Sequence, residues 1–375
     1  MKIAITHEWF VTHAGSEKVV EQMLAVYPEA DLFSLVDFLA ADHRDFIHQK
    51  SVQTSFIQQL PFAKTHFRQY LPLMPMAVEQ FDMSAYEVII SSSHAVAKGI
   101  ISNPDQLHIS YVHTPMRYAW DLQHQYLSQA GLTHGFKGGL TRLILHYLRL
   151  WDQLSANRVD HFVANSHYIA RRIQKCYRRS AQVIYPPVDI HRFQPQSDRE
   201  PFYLSVARFV PYKRVDLIVQ AFNQLGLPLV VIGDGPMGEQ IRAIARPNIK
   251  LLGKQPDAIV EDYMQRCQAF VFAAQEDFGI TVVEAQAAGA PVIAFARGGA
   301  TETVIEGKTG VFFIEQTVTA LVDAVQRFQK TLGNFSPELS RQQAEKFSIE
   351  RFRKEFETFI DQAWLSFSQG NDIEY

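Results

Sequence analysis

The chain has 375 residues, 20% of them charged, and a net charge of −3. That length accommodates two or three domains with large cores, and the near-neutral balance gives no basis for nucleic-acid binding through charge. Cys176 and Cys267 lie far apart without metal-ligand spacing and read as buried, reduced thiols.

The N-terminus, Met1 to Thr6, reads as a strand with no signal-peptide core, and no later run reaches ~18 uncharged apolar residues, so the expectation is a cytoplasmic chain. All 14 histidines fall between His7 and His191. The first 195 residues carry 18 Lys+Arg against 16 Asp+Glu (+2), and the rest carry 18 against 23 (−5), which sum to −3. This asymmetry supports two domains with different tasks.

Strands are expected at Lys2–Thr6, Asp31–Val36, Val88–Ser91, His108–His113 and His161–Ala164. After the first, Ala14-Gly15-Ser16-Glu17 is a glycine turn into a helix with Ser16 as its cap, and Gly15 lets the backbone approach a bulky ligand. Pro61 to Pro75 reads as an irregular, aromatic and basic excursion. The strand ending at His113 gives way at Pro115 to a helix whose first turn carries Arg117 and Trp120. A histidine at a strand's carboxyl end accepts a hydrogen bond from a hydroxyl and titrates near neutrality.

Helices are expected over Gly138–Ala156 and His167–Arg179. Their basic residues, Arg142, His146 and Arg149 in the first, either rest on an anionic membrane surface or form a solvated face of a helix packed on a sheet. Prolines 186, 187, 195 and 201 with polar residues between them mark a linker.

A second series begins with a strand at Phe202–Ala207, then Arg208 and Lys213 in the turn into a helix. Leu229–Gly233 with Asp234-Gly235-Pro236, and Asn248–Gly253 with Lys254, are further strands and turns. The most informative stretch follows: a buried strand at Ala269–Ala273, the turn Glu276-Asp277-Phe278-Gly279, a helix over Ile280–Ala288 and a strand at Val292–Phe295. Glu276 and Glu284 flank the amides of Gly279, Ile280 and Thr281, unpaired donors of a helix's first turn that favour an anion. A diphosphate held there has an acid on each side to bind hydroxyls. The last helical pattern, Ser348–Phe367, presents Phe352, Phe356, Phe359, Ile360 and Trp364; the residues after Gln369 are expected to fray.

The run E-D-F-G-I-T-V-V-E-A-Q-A-A-G-A-P-V, the R-x4-K pair and H-T-P-M-R-Y-x-W-D-L together resemble family-4 retaining glycosyltransferases of the GT-B fold, in their bacterial mannosyltransferase-like branch. The resemblance spans nearly the whole chain, with its specific motifs concentrated in 205–310. It implies an α/β chain of two facing Rossmann-like domains, 1–190 for the acceptor and 200–347 for the nucleotide sugar, with 348–375 crossing back to the first. It implies that Glu276 binds donor-sugar hydroxyls and Glu284 the ribose. Arg208 and Lys213 would neutralise the diphosphate, while Gly15 and the amides of Gly279, Ile280 and Thr281 approach it; Ala14-Gly15 stands where the family usually has two glycines. Gly233, Asp234, Lys254 and Phe278 would complete the donor pocket, His113 would sit beside the donor sugar as a catalytic residue, and Arg117 and Trp120 would line the acceptor side.

No Asp-x-Asp occurs, so no metal or other cofactor is expected. The implied reaction moves a hexose, mannose from GDP-mannose before glucose or another sugar from UDP, to a glycan or lipid-linked acceptor, with the leaving phosphate taking the acceptor proton. A sugar-nucleotide epimerase of the same fold is the alternative enzyme. A two-domain periplasmic binding protein would need an export signal.

Overall fold

The computed structural model describes residues 1–370, so the tail expected to fray lies, past Gly370, outside the described residues. It divides into two compact units: residues 1–185 with the chain from Phe352 onward, and residues 186–351.

The first unit is built on seven strands: β1 Ile3–Phe10, β2 Asp31–Asp37, β3 Val52–Thr54, β4 Val88–Ser93, β5 Leu107–Val112, β6 His161–Ala164 and β7 Gln182–Val183. Every pairing is parallel, in the order β3-β2-β1-β4-β5-β6-β7. Parallel strands are buried on both faces, which is why they read as continuous apolar runs. Ile3 and Ile5 of β1 pack with Val19, Val20 and Met23 of helix Gly15–Val26 and with Phe352, Phe356 and Ile360 of helix Ile349–Ser368. Ala4, on the opposite face, joins Phe33, Ile89 and Leu148. The late helix thus completes the first unit's core.

The second unit has β8 Glu200–Val206, β9 Leu229–Ile232, β10 Ile249–Gly253, β11 Cys267–Phe272, β12 Val292–Phe295 and β13 Gly310–Phe313, in the order β10-β9-β8-β11-β12-β13. Helix Val215–Leu225 covers this sheet with Leu217, Ile218 and Phe222, beside Leu321 and Phe328 of helix Val318–Lys330. In both units the chain winds outward from its first strand and then returns to that strand's other side. The reversals fall between β1 and β4 and between β8 and β11, and open α/β sheets bind ligands outside the strand ends at such reversals.

Local expectations need three corrections. The segment from Pro61 is a run of short helical turns, Ala63–His66, Phe67–Leu73 and Met74–Val78, because Phe67, Met74, Ala77 and Val78 are buried. The chain after Pro115 stays in turns until helix Gln123–Gln129: Trp120 Nε1 is held by Asp152 at 2.7 Å and Asp121 by Arg172 at 2.5 Å, which tie successive side chains to different elements. Helix Gly15–Val26 is capped at Ala14 rather than Ser16; the Glu17 carboxylate reaches back to the Ala14 N–H at 3.2 Å and accepts from Ser16 Oγ at 3.0 Å.

Candidate active site

At the reversal of the second sheet, β8 ends at Val206 and Arg208 stands exposed just beyond it. A single 3-10 turn, Pro211–Lys213, carries Lys213 back toward the exit of β11, where its ammonium forms an ion pair with Glu276. Both side chains are mostly buried, with 17% and 15% of their surface exposed. The structure therefore brings Arg208, Lys213 and Glu276 to one edge, with helix Ile280–Ala287 starting directly after Gly279 and carrying no side-chain cap. First-turn amides without a cap, beside two cations, suit a polyanionic ligand.

Two glycine turns hold these loops. Gly233 has φ +144°, and a Cβ there would lie 1.8 Å from the Ala207 carbonyl oxygen, so only glycine lets the Arg208 loop pack on this turn. The Phe209 N–H then donates to the Asp234 carbonyl at 2.8 Å. Gly298, at φ +74°, has its Cβ position 2.2 Å from the Glu276 carbonyl oxygen, and the Gly299 N–H donates to that oxygen at 2.8 Å.

Asp234 is exposed and its carboxylate accepts from the Gly235 N–H at 2.7 Å; Lys254 is exposed past β10. The Phe278 ring is buried against Phe347, centroids 5.5 Å apart, so what Phe278 offers a donor is backbone, a correction to its place in the pocket lining. Glu284 lies near Arg192, whose guanidinium pKa rises because Glu261, Glu284 and Asp257 outweigh the cost of its burial.

In the first unit, His113 follows β5 directly, at the carboxyl end of the strand beside β4. Its Nε2 lies 2.8 Å from Ser92 Oγ, and Ser92 Oγ lies 3.1 Å from His7 Nδ1. His7 Nε2 is 3.5 Å from Glu17 Oε1. Burial, together with His94 and His7, holds the His113 imidazole well below its usual pKa. Burial works to raise the Glu17 pKa, but the His7 hydrogen bond and charge, its own amide and Ser16 outweigh it and bring it down to about 2. Gly15 opens the helix that Glu17 caps.

Arg117 sits in the turn after Met116, part-buried. Trp120 is also part-buried, but its indole N–H is taken by Asp152 and its ring meets the edge of Tyr177 at 6.4 Å. Asp152 in turn pairs with the buried Lys98, so Trp120 belongs to a packing network, contrary to its expected place on the acceptor side.

Residues 188–344 match the family of glycosyl transferases group 1, and residues 15–192 match glycosyltransferase family 4. The chain belongs to the family-4 glycosyltransferases. A curated relative, an uncharacterised glycosyltransferase of Methanocaldococcus jannaschii, is 29% identical over 57% of this chain and 64% of its own length. The GDP-mannose-dependent α-(1-6)-phosphatidylinositol monomannoside mannosyltransferase of Mycolicibacterium smegmatis is 29% identical over 52% of this chain and 58% of its own. The chain thus spans less than two thirds of either relative. Among solved structures, HepE of Anabaena in complex with UDP superimposes with a TM-score of 0.69 over 96% of this chain and 100% of that one, at 18% identity, which shows the shared GT-B fold.

Three polar residues beside His113, namely Glu17, His7 and Ser92, are not among the site residues expected from the sequence. The signals were present. Glu17 is the third residue after its cap, the position of a capping-box acid, and His7 belongs to the cluster of histidines confined to the first half of the chain.

Proposed function

We propose that this glycosyltransferase moves a hexose, with retention and without metal, from a nucleotide-diphosphate sugar to a glycan or lipid-linked acceptor. The donor is GDP-mannose. The observation that carries the reading is the Lys213–Glu276 pair at the reversal of the second sheet, with Arg208 exposed just past the end of β8 at the same edge. Arg208 and Lys213 stabilise the charge that grows on the departing diphosphate, which lowers the barrier because that charge is greater in the transition state than in the bound donor. Glu276 holds donor-sugar hydroxyls and Glu284 the ribose, while the Gly279, Ile280 and Thr281 amides approach the phosphates. His113 takes a hydrogen bond from a donor-sugar hydroxyl, while the proton of the acceptor hydroxyl passes to the leaving phosphate oxygen. GDP-mannose is favoured by the Mycolicibacterium smegmatis relative, whose name carries that donor.

A UDP-sugar is the second reading, favoured by the UDP complex of HepE. Thermal melting with GDP-mannose, UDP-glucose and UDP-GlcNAc separates the two, because a ligand bound only to the folded state raises the melting temperature. A rise with GDP-mannose alone supports the first reading; a rise with UDP-sugars alone replaces it with the second. A rise with neither overturns both.

A lipid-linked acceptor fits the outer face of helix Gly135–Ser155. Phe136, Leu140, Leu143, Tyr147, Leu150 and Leu154 are exposed there at alternating four- and three-residue spacing, with Lys137 beside them. Arg142 and Arg149 are turned away and donate to the Thr133 and Ala119 carbonyls, so contact with a bilayer rests on the apolar stripe more than on charge. Co-sedimentation with phosphatidylglycerol vesicles, lost on Leu143→Glu, is the expected result; sedimentation unchanged by that substitution removes the stripe from the reading.

A further inference from the structure

The chain Glu17, His7, Ser92, His113 has a direction, because each member donates or accepts in a way fixed by its neighbour. Glu17 accepts from the Ala14 N–H at 3.2 Å and from Ser16 Oγ at 3.0 Å and, as a carboxylate, only accepts. His7 Nε2 makes no hydrogen bond among the described residues, and its nearest acceptor is Glu17 Oε1 at 3.5 Å, whose negative charge favours the proton on that nitrogen in the neutral ring. Its Nδ1 is then an acceptor, and the group 3.1 Å away that can donate is the Ser92 hydroxyl. Having given its only proton to His7, Ser92 faces His113 Nε2 at 2.8 Å as an acceptor, and His113 must donate.

We infer that Glu17, acting through His7 and Ser92, fixes the His113 proton on Nε2 and leaves Nδ1 as the nitrogen that accepts a hydrogen bond. No proton moves along the chain; it sets a tautomer. The sheet register builds the arrangement in, since His7 and Ser92 are direct partners across β1 and β4. The main chain of His113 is fixed separately by Asn165 Nδ2 on its carbonyl at 3.0 Å.

The remaining groups around the ring do not compete for this role. Tyr111 meets His113 edge-on at 5.2 Å, and its hydroxyl donates to the Ile184 carbonyl at 2.9 Å. His94 lies 6.3 Å from His113 and stacks on His7 at 6.0 Å. His94 Nδ1 faces Glu8 at 3.6 Å, and the Glu8 carboxylate is taken by the N–H groups of His94, Ala95, Val96 and Ala97. Glu17 and His7 are therefore positioning residues for His113. The consequence for turnover rests on the proposed glycosyl transfer, in which a hydroxyl needs an acceptor nitrogen in one defined place; the tautomer itself rests on geometry alone.

The test uses full-length protein with 15N-labelled histidine, with the His113 signals identified by their loss in His113→Gln. In the wild type His113 should carry its proton on Nε2. His108 supplies an internal reference of opposite type: its Nδ1 lies 3.3 Å from the Arg158 carbonyl and must donate, while Nε2 accepts from Ser91 Oγ at 3.0 Å. Ser92→Ala and Glu17→Ala should each turn His113 into a mixture of tautomers and leave His108 unchanged; Ser92→Thr, which keeps the hydroxyl, should restore the single form. Should Glu17→Ala fail to fold, His7→Phe cuts the chain at the next link with the volume kept.

With sugar nucleotide and water as acceptor, release of nucleoside diphosphate should fall roughly tenfold in kcat for Ser92→Ala and Glu17→Ala, with donor KM within about twofold, a modest loss for one misdirected orienting hydrogen bond. A His113 proton on Nδ1 in the wild type, or a doubly protonated His7, overturns the inference. So does a His113 tautomer that survives both substitutions. A wild type that releases no nucleoside diphosphate defeats the proposed function instead, and leaves the tautomer measurement to decide this point.

Discussion

Lys213 and Glu276 come from separate βα loops of the second unit and neutralise each other in an ion pair at the reversal of its sheet. In the proposed reaction both have other work, Lys213 on the diphosphate and Glu276 on sugar hydroxyls, so a donor replaces one pairing with two. Glu276→Gln should lower turnover at least ~100-fold, since contacts made in the transition state are lost. The melting temperature should fall by a few degrees with the protein still folded, because the largely buried Lys213 ammonium is left without its partner. Nucleoside diphosphate release and a melting curve check both.

Gly298→Ala should harm both stability and activity. The positive φ and the Glu276 carbonyl 2.2 Å from the new Cβ leave no room without moving the Glu276 loop. A loss of about 2 kcal/mol or more is expected from strain of this kind, read by urea unfolding. Weakened donor binding should accompany it, read as a smaller thermal shift.

The Glu17 carboxylate predicts the acid limb of stability. Its pKa is about 2 in the folded protein against 4.5 for the ordinary side chain. A depressed carboxylate contributes stability that is full above its unfolded pKa and is lost as pH falls toward the folded value. The melting temperature should therefore drop between roughly pH 5 and pH 2, with a contribution on the order of 3 kcal/mol from this group. Glu17→Gln should flatten that part of the profile; an unchanged acid limb would count against the buried pairing.

Arg208→Met should lower turnover by roughly 100- to 1000-fold, the range for removing one preorganised charge partner of a transition state. Added Mg²⁺ should not restore it, and EDTA should leave the wild-type rate within about twofold. Inhibition by EDTA, relieved by a divalent cation, would show that a metal carries part of the diphosphate charge.

The parts legible in the sequence were those whose causes are local. Val292–Phe295 and Cys267–Phe272 stand out as apolar runs because both faces of a parallel strand are buried. The spacing of Glu276 and Glu284 lies within one βαβ unit and can be read without knowing what packs beside it. The meeting of Lys213 with Glu276, and of Glu17 with His7, depends on which strands become neighbours, a long-range choice that no window of sequence contains. Trp120 failed for the same reason: Asp152, which takes its N–H, arrives from helix Gly135–Ser155. The purpose of Gly298 is visible only with the Glu276 carbonyl against it.

The late helix that roofs the first sheet has a consequence for biosynthesis. Phe352, Phe356 and Ile360 leave the ribosome after every residue of the second unit, so one flank of the early strands stays bare until then. At ordinary elongation speeds that interval is on the order of ten seconds, long compared with collapse of a nascent chain. The yield of native protein is then set by how promptly translation of the inserted unit finishes and by what shields those apolar strands meanwhile.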